Sequence, residues 1–156
     1  MAGYGWIPPS SCMGTFQWVP CYAGAVPPAA VHAGMDRDGG HLFVGRAFHA
    51  GDLLPAKVAP NHGTAFVSYG GSEISKSDYE VLCSSHTAWK YARGGEVPPE
   101  AIRIGQTSDG EGLFMGRTML DGTLTPGKVH PSHGCLYVPF DGEERRFDEY
   151  EILVLS

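Results

Sequence analysis

With 156 residues, 42% of them hydrophobic, the chain is long enough to bury a sizeable core and suits one compact unit. A net charge of −6 with scattered Lys and Arg excludes the basic footprint of a nucleic-acid binder, and no apolar run has the length of a spanning helix. The 22 glycines and 12 prolines punctuate short segments rich in Val, Phe, Tyr and Leu, which predicts a turn-rich all-β protein rather than disorder or a helix bundle.

In chain order, residues 1–15 read as an N-terminal arm rich in Gly, Pro and Ser, with Trp6 and Ile7 able to tuck onto the body or a partner subunit. The arm has neither the charged leader nor the apolar core of a signal peptide, so a cytoplasmic protein is expected. Strands are predicted near residues 16–20, 30–35, 41–49, 53–58, 64–69 and 79–84. Asp38-Gly39-Gly40, Ala50-Gly51-Asp52 and Gly70-Gly71 supply the turns between them, because Gly accepts positive φ cheaply. A second set follows near residues 87–91, 101–106, 112–120, 124–129, 135–140 and 150–155, with Asp141-Gly142 as a matching turn.

The two sets are copies. Shifted by 71 positions, residues 18–85 lie on residues 89–156 without a gap, and 28 of the 68 aligned pairs are identical. Trp18 falls on Trp89, Arg46 on Arg117, Lys57 on Lys128, His62 on His133 and Glu73 on Glu144. Two copies are too few for a solenoid or propeller. They predict two repeats, 16–85 and 86–156, sharing one core as ten to twelve antiparallel strands in a pseudo-symmetric sandwich or barrel. Cys12, Cys21, Cys83 and Cys135 do not recur between the copies, so they read as free, mostly buried thiols.

Motifs with chemical meaning mostly dissolve on inspection. Gly122…Gly127-Lys128 fits the front of a phosphate-binding loop, but Val129 replaces the magnesium-holding hydroxyl and Pro131 prevents the helix that should follow. It reads as a turn leading into a strand. Asp36-x-Asp38-Gly39 begins like a calcium loop, yet Ala47 stands where the bidentate Glu belongs. His130-x-x-His133 has no second ligand pair, and His62 and His133 each precede a turn glycine, so no metal is expected. With no catalytic elbow, Cys/His pairing or spaced carboxylate pair, a non-enzymatic protein without cofactors is expected. Trp18 and Trp89 read as core residues. Arg46 and Arg117 are expected to pair with Glu73 and Glu144, and Lys57 has Asp36 as a candidate partner. For the two lysines, a weak surface salt bridge and a sugar contact are equally compatible with the spacing.

The string Trp18…Val26-Pro27-Pro28…Ala30-x-x-x-Gly34…Asp38-Gly39…Phe43-Val44-Gly45-Arg46-Ala47…Gly51-x-Leu53-x-Pro55-Ala56-Lys57-Val58…Tyr79-Glu80-Val81-Leu82 resembles the DM-nine repeat, over residues 16–155. That resemblance implies a tandem, β-rich, mannose-recognising lectin, often cytoplasmic and engaged in innate immune recognition. The same repeats accompany the pore-forming module of natterin-like toxins. Carried onto this sequence, the resemblance implies that Asp36 accepts hydrogen bonds from two sugar hydroxyls and that Lys57 donates to hydroxyl or ring oxygens. A possible second site comprises Thr107, Lys128 and Asp109, but Thr107 replaces the Asp, and Ala56 replaces the usual Gly of the first site. The expected protein is a homodimeric lectin for mannose-containing glycans acting as a pattern receptor. Its rival is a vesicle-associated interaction or scaffold protein without a working sugar site.

Overall fold

The computed structural model describes residues 16–156. The expectations about Trp6, Ile7 and Cys12 lie outside the described residues. The first copy forms β1 (Gln17–Tyr22), β2 (His32–Met35), β3 (His41–His49), β4 (Asp52–Ala59), β5 (Thr64–Tyr69), β6 (Ser72–Lys76) and β7 (Asp78–Cys83). The second forms β8 (Thr87–Arg93), β9 (Arg103–Gln106), β10 (Gly112–Leu120), β11 (Thr123–His130), β12 (Cys135–Phe140), β13 (Glu143–Phe147) and β14 (Glu149–Leu155). Each copy carries one 3₁₀ turn, Pro60–His62 or Pro131–His133, closed by a left-handed glycine. No α-helix occurs among the described residues, and none of their helices is long and apolar enough to cross a membrane.

The all-β expectation holds, with 14 strands in place of the ten to twelve predicted. The additional pair is β6 and β13, whose segments Ser72–Lys76 and Glu143–Phe147 are too polar to announce themselves as strands. They nonetheless complete the architecture. An antiparallel circuit runs β2–β3–β4–β5–β6–β13–β12–β11 and closes back on β2, an eight-strand barrel. Closure leaves no free edge within that ring. Three strand pairings join the copies: β2 with β11, β4 with β9, and β6 with β13. Outside the ring, β7 pairs with β3 and carries β1, as β14 pairs with β10 and carries β8.

The core lies in three parts. One cluster centres on Leu54, Val58, Val67 and Val81 of the first copy, and another on Val129, Leu136, Val138 and Ile152 of the second. Between them, Val31, Ala33, Val44 and Leu82 pack against Ile102, Ile104, Met115 and Leu153. Each of these partners is its counterpart 71 residues on, so the central cluster lies on the pseudo-two-fold axis. Trp18 and Trp89 pack against it, as expected of core residues. Cys21, Cys83 and Cys135 are free thiols.

The copies approach closely where they join. A Cβ at Gly34 would lie 1.8 Å from the Leu124 carbonyl oxygen, and one at Gly105 would lie 2.0 Å from that of Leu53. Only glycine allows β2 to meet β11, and β9 to meet β4, at this distance.

Candidate functional site

Strands β4 and β11 are buried along nearly their whole length, so the lysine on each is drawn inside with its neighbours. Lys57 is 5% exposed and Lys128 6%. This overturns the surface-salt-bridge reading of both. A buried ammonium needs its protons satisfied. Lys57 Nζ donates to the Pro139 carbonyl oxygen at 2.6 Å and sits 3.5 Å from Glu73. Lys128 Nζ donates to the Ser68 carbonyl oxygen at 3.0 Å and sits 3.2 Å from Glu144. Pro139 belongs to the second copy and Ser68 to the first, so each lysine is seated in the opposite half.

Glu73 and Glu144 are fixed by the same exchange. The Gly142 amide donates to Glu73 Oε1 at 2.9 Å, and the Gly71 amide donates to Glu144 Oε1 at 3.0 Å. Each hairpin turn thus orients the carboxylate that faces the other copy's lysine. Their expected pairing with Arg46 and Arg117 does not occur. Arg46 pairs with Glu80 at 2.7 Å and Arg117 with Glu151 at 2.8 Å, because those residues stand directly opposite across β3–β7 and β10–β14. Both guanidiniums lie over tryptophan rings, Arg46 over Trp18 at 3.9 Å and Arg117 over Trp89 at 4.1 Å.

Lys57 opens into a pocket of about 240 Å³. Asp36, Arg37, His62, Phe66 and Glu73 of the first copy line it together with Phe140 and Asp141 of the second. Lys57 Nζ is 5.5 Å from the centroid of Phe66 and 5.8 Å from that of Phe140. The structure therefore brings Asp36 and Lys57 into one cavity. The ion-pair partner of Lys57 is Glu73, and Asp36 instead meets His62 at 3.1 Å. Desolvation lowers the Lys57 pKa below the usual lysine value, against the opposing pull of Glu73, Asp36 and Asp141. His62, expected to serve a turn, does end the 3₁₀ turn and also lines the pocket.

A larger concavity of about 640 Å³ lies by Arg46, Phe48, Lys76 and Asp78. The smaller pocket gathers a buried ammonium, three carboxylates and two aromatic rings in one space. The smaller pocket is the candidate site.

In the second copy, Lys128 has the equivalent rings, Tyr137 at 5.3 Å and Tyr69 at 6.0 Å. Thr107 stands where Asp36 stands in the first, and its hydroxyl accepts the Glu111 amide at 3.1 Å, closing its own turn. Asp109 is exposed in that turn. His133 lies 3.0 Å from the Tyr137 hydroxyl and stacks on His130 with ring centroids 3.6 Å apart. Gly127 and Lys128 lie within β11, so the loop-like glycine motif is a turn leading into a strand.

Comparison with known proteins agrees with this architecture. The family model described as DM9 repeat matches residues 10–47 and 36–147. The chain belongs to the DM9 repeat family. This DM9 chain is similar to Natterin-4 of Thalassophryne nattereri, 26% identical over 152 residues, which cover 92% of this chain and 35% of that protein. Natterin-3 of the same organism is 28% identical over 93 residues, covering 57% of this chain and 23% of that one. The crystal structure of the nematode sperm cell motility protein MFP2B matches with a TM-score of 0.66 at 13% identity, over 90% of this chain and 46% of that one. That match shows a shared fold. The DM9 chain spans less than half the length of each of these proteins.

Sequence reasoning missed most of the pocket. Arg37, Phe66 and Phe140 carry no motif, Asp141 reads only as a turn residue, and Glu73 is expected beside the wrong cation. The recurrence of Lys57 and Glu73 at matched positions was the available signal, but nothing in it says that the two meet.

Proposed function

We propose that this protein is a non-enzymatic lectin that binds mannose or mannose-rich glycans in the Lys57 pocket and serves innate immune pattern recognition. The observation that carries this reading is a buried, pre-positioned ammonium beside Asp36, set between Phe66 and Phe140. A sugar offers vicinal hydroxyls to a carboxylate, ring and hydroxyl oxygens to an ammonium, and C–H faces to aromatic rings. Lys57 donates, Asp36 accepts, and neither must be ordered on binding because both are already held. Charge-assisted bonds of about 1.5–3 kcal/mol each make one such site weak, so useful avidity comes from several sites engaging one glycan. A homodimer, cytoplasmic or vesicle-associated, fits that need. The second-copy site at Thr107, Lys128 and Asp109 is the weaker candidate, because Thr107 offers no carboxylate.

A glycan array and mannan titration of the unaltered protein, Asp36→Ala and Lys57→Ala test the reading. Binding by the unaltered protein and its loss in both variants is the expected result. Equal binding by all three removes this site. A second reading, an interaction or scaffold protein, draws on Phe48 and Met119, which occupy matching positions in the two copies and are 70% and 63% exposed. Absence of glycan binding by the unaltered protein favours it.

A further inference from the structure

We propose that Asp141, paired with Arg37 across the boundary between the two copies, is a second sugar-contacting carboxylate, and that this rim confines strong binding of neutral sugars to one site per chain. The inference rests on the carbohydrate reading of the Lys57 pocket and extends it to residues that the family resemblance does not supply.

The argument begins with the turn. Asp141 and Gly142 join β12 to β13 with φ of +52° and +81°. The matching turn in the first copy is Gly70-Gly71, with φ of +58° and +87°. Glycine thus suffices for the backbone geometry, and the Asp141 carboxylate is present beyond what the turn requires. It is met across the copy boundary by Arg37, in an ion pair whose two side chains are both more than half exposed. Arg37 Nη2 donates to Asp141 Oδ1 at 3.1 Å, and the Arg37 guanidinium lies 5.0 Å from the Phe140 ring centroid. Arg37 follows Asp36 directly, so the pair links the first copy's Asp36 turn to the second copy's hairpin at the pocket. Lys57 thus shares the cavity with two carboxylates besides Glu73, Asp36 and Asp141, and both act on its charge.

The second copy keeps the floor of the pocket and loses its rim. Lys128, Glu144 and two aromatic rings are retained. Arg37 is replaced by Ser108, Asp141 by Gly70 and Asp36 by Thr107, all three rim positions together. A hexose presenting a pair of hydroxyls therefore finds the Asp36 and Asp141 carboxylates at the first site, and neither of their counterparts in the second copy, Thr107 and Gly70, carries one. The same carboxylates repel a uronic acid. The first site accordingly selects uncharged sugars over acidic ones.

NMR titration with methyl α-mannoside and with glucuronate tests this. The unaltered protein is expected to show one mannoside site per chain with perturbed resonances around Lys57, and little response to glucuronate. Asp141→Gly, which installs the residue that the matching turn already uses, should weaken mannoside binding roughly tenfold while the melting temperature holds. Asp141→Asn retains an acceptor without its charge, so it should lose less mannoside affinity and gain glucuronate binding. A purely structural role for Asp141 would not shift the neutral-to-acidic ratio. Unchanged affinity in Asp141→Gly, with binding lost in Lys57→Ala, overturns this inference alone. Two equal mannoside sites also overturn it. No mannoside binding by the unaltered protein overturns the carbohydrate reading and this inference together.

Discussion

Lys57 concentrates the residue-scale chemistry. Its ammonium is taken out of water on a strand buried on both faces, and the Pro139 carbonyl and Glu73 are its direct partners in offsetting that loss. Removing one partner of such a pair costs more than the pair contributes, because the other charge is left buried. Glu73→Gln should therefore destabilise the fold by about 3 kcal/mol in urea denaturation, and Lys57→Met/Glu73→Gln by clearly less than the sum of the single changes. A strictly additive double mutant would show that the two groups do not act as a pair. The pH dependence follows from the lowered Lys57 pKa, which desolvation sets. The folded state releases this proton more readily than the unfolded state does. This group's contribution to stability therefore rises with pH from its folded pKa up to the ordinary lysine value of about 10.4. Sugar binding moves the other way, since the neutral amine loses a donor and its charge. Affinity should decline at a pH below that of an exposed lysine, and a midpoint at or above about 10.4 would contradict the assignment. His130 gives an acid limb: burial lowers its pKa, with His133 adding to the effect. The unfolded chain binds that proton first, so stability falls as pH drops below about 6.5, and His130→Gln should flatten the slope.

At the scale of elements, legibility depended on how much of a strand faces the core. Residues 41–49, 64–69, 112–120 and 135–140 were bounded correctly, because apolar runs between Gly or Pro turns mark strands that pack against a core. Strands β6 and β13 were missed for the opposite reason. Glu143–Phe147 reads Glu-Glu-Arg-Arg-Phe, and its strand conformation is imposed by pairing with β12 and β6. The site suffered from the same omission. Asp36 and Lys57 were reached through resemblance, but Glu73 and Asp141 lie on or beside the two unrecognised strands, and which cation each meets is fixed by the barrel's closure. Glycines 34 and 105 belong to this scale as well. Gly34→Ala places a Cβ 1.8 Å from the Leu124 carbonyl oxygen, and backbone rather than a flexible side chain would have to yield. The expected cost is about 3 kcal/mol, at the upper end for overpacking, read as a lowered melting temperature. Gly39→Ala serves as the control for backbone strain alone, since its Cβ would meet nothing within 4 Å at a φ of +83°. Equal losses in the two variants would remove the close-approach argument.

For the whole molecule, the duplication has an energetic consequence that neither copy's sequence states alone. The central cluster takes four side chains from each half, and all eight are buried only when the halves meet. Lys57 borrows the carbonyl of Pro139 and Lys128 that of Ser68, while Glu73 and Glu144 are anchored by amides of the other hairpin. A lone half would expose an apolar patch and leave both its buried lysine and the facing carboxylate without their seats. Its closed ring would also open, since β2, β4 and β6 each lose a neighbouring strand. A fragment ending after β7, residues 16–85, should therefore be largely unfolded by circular dichroism and should not bind mannoside. Co-expression with residues 86–156 should restore both properties, because the cut falls in the short connection between Cys83 and Thr87 and breaks no strand pairing. The reconstituted pair then provides a direct assay of where the pocket's parts come from. Introducing Asp141→Gly on the second fragment should weaken binding without preventing assembly, whereas Gly105→Ala on the same fragment should prevent assembly itself. A first fragment that folds and binds sugar unaided would show that the pocket is complete within one copy, contrary to the placement of Pro139, Phe140 and Asp141 around Lys57.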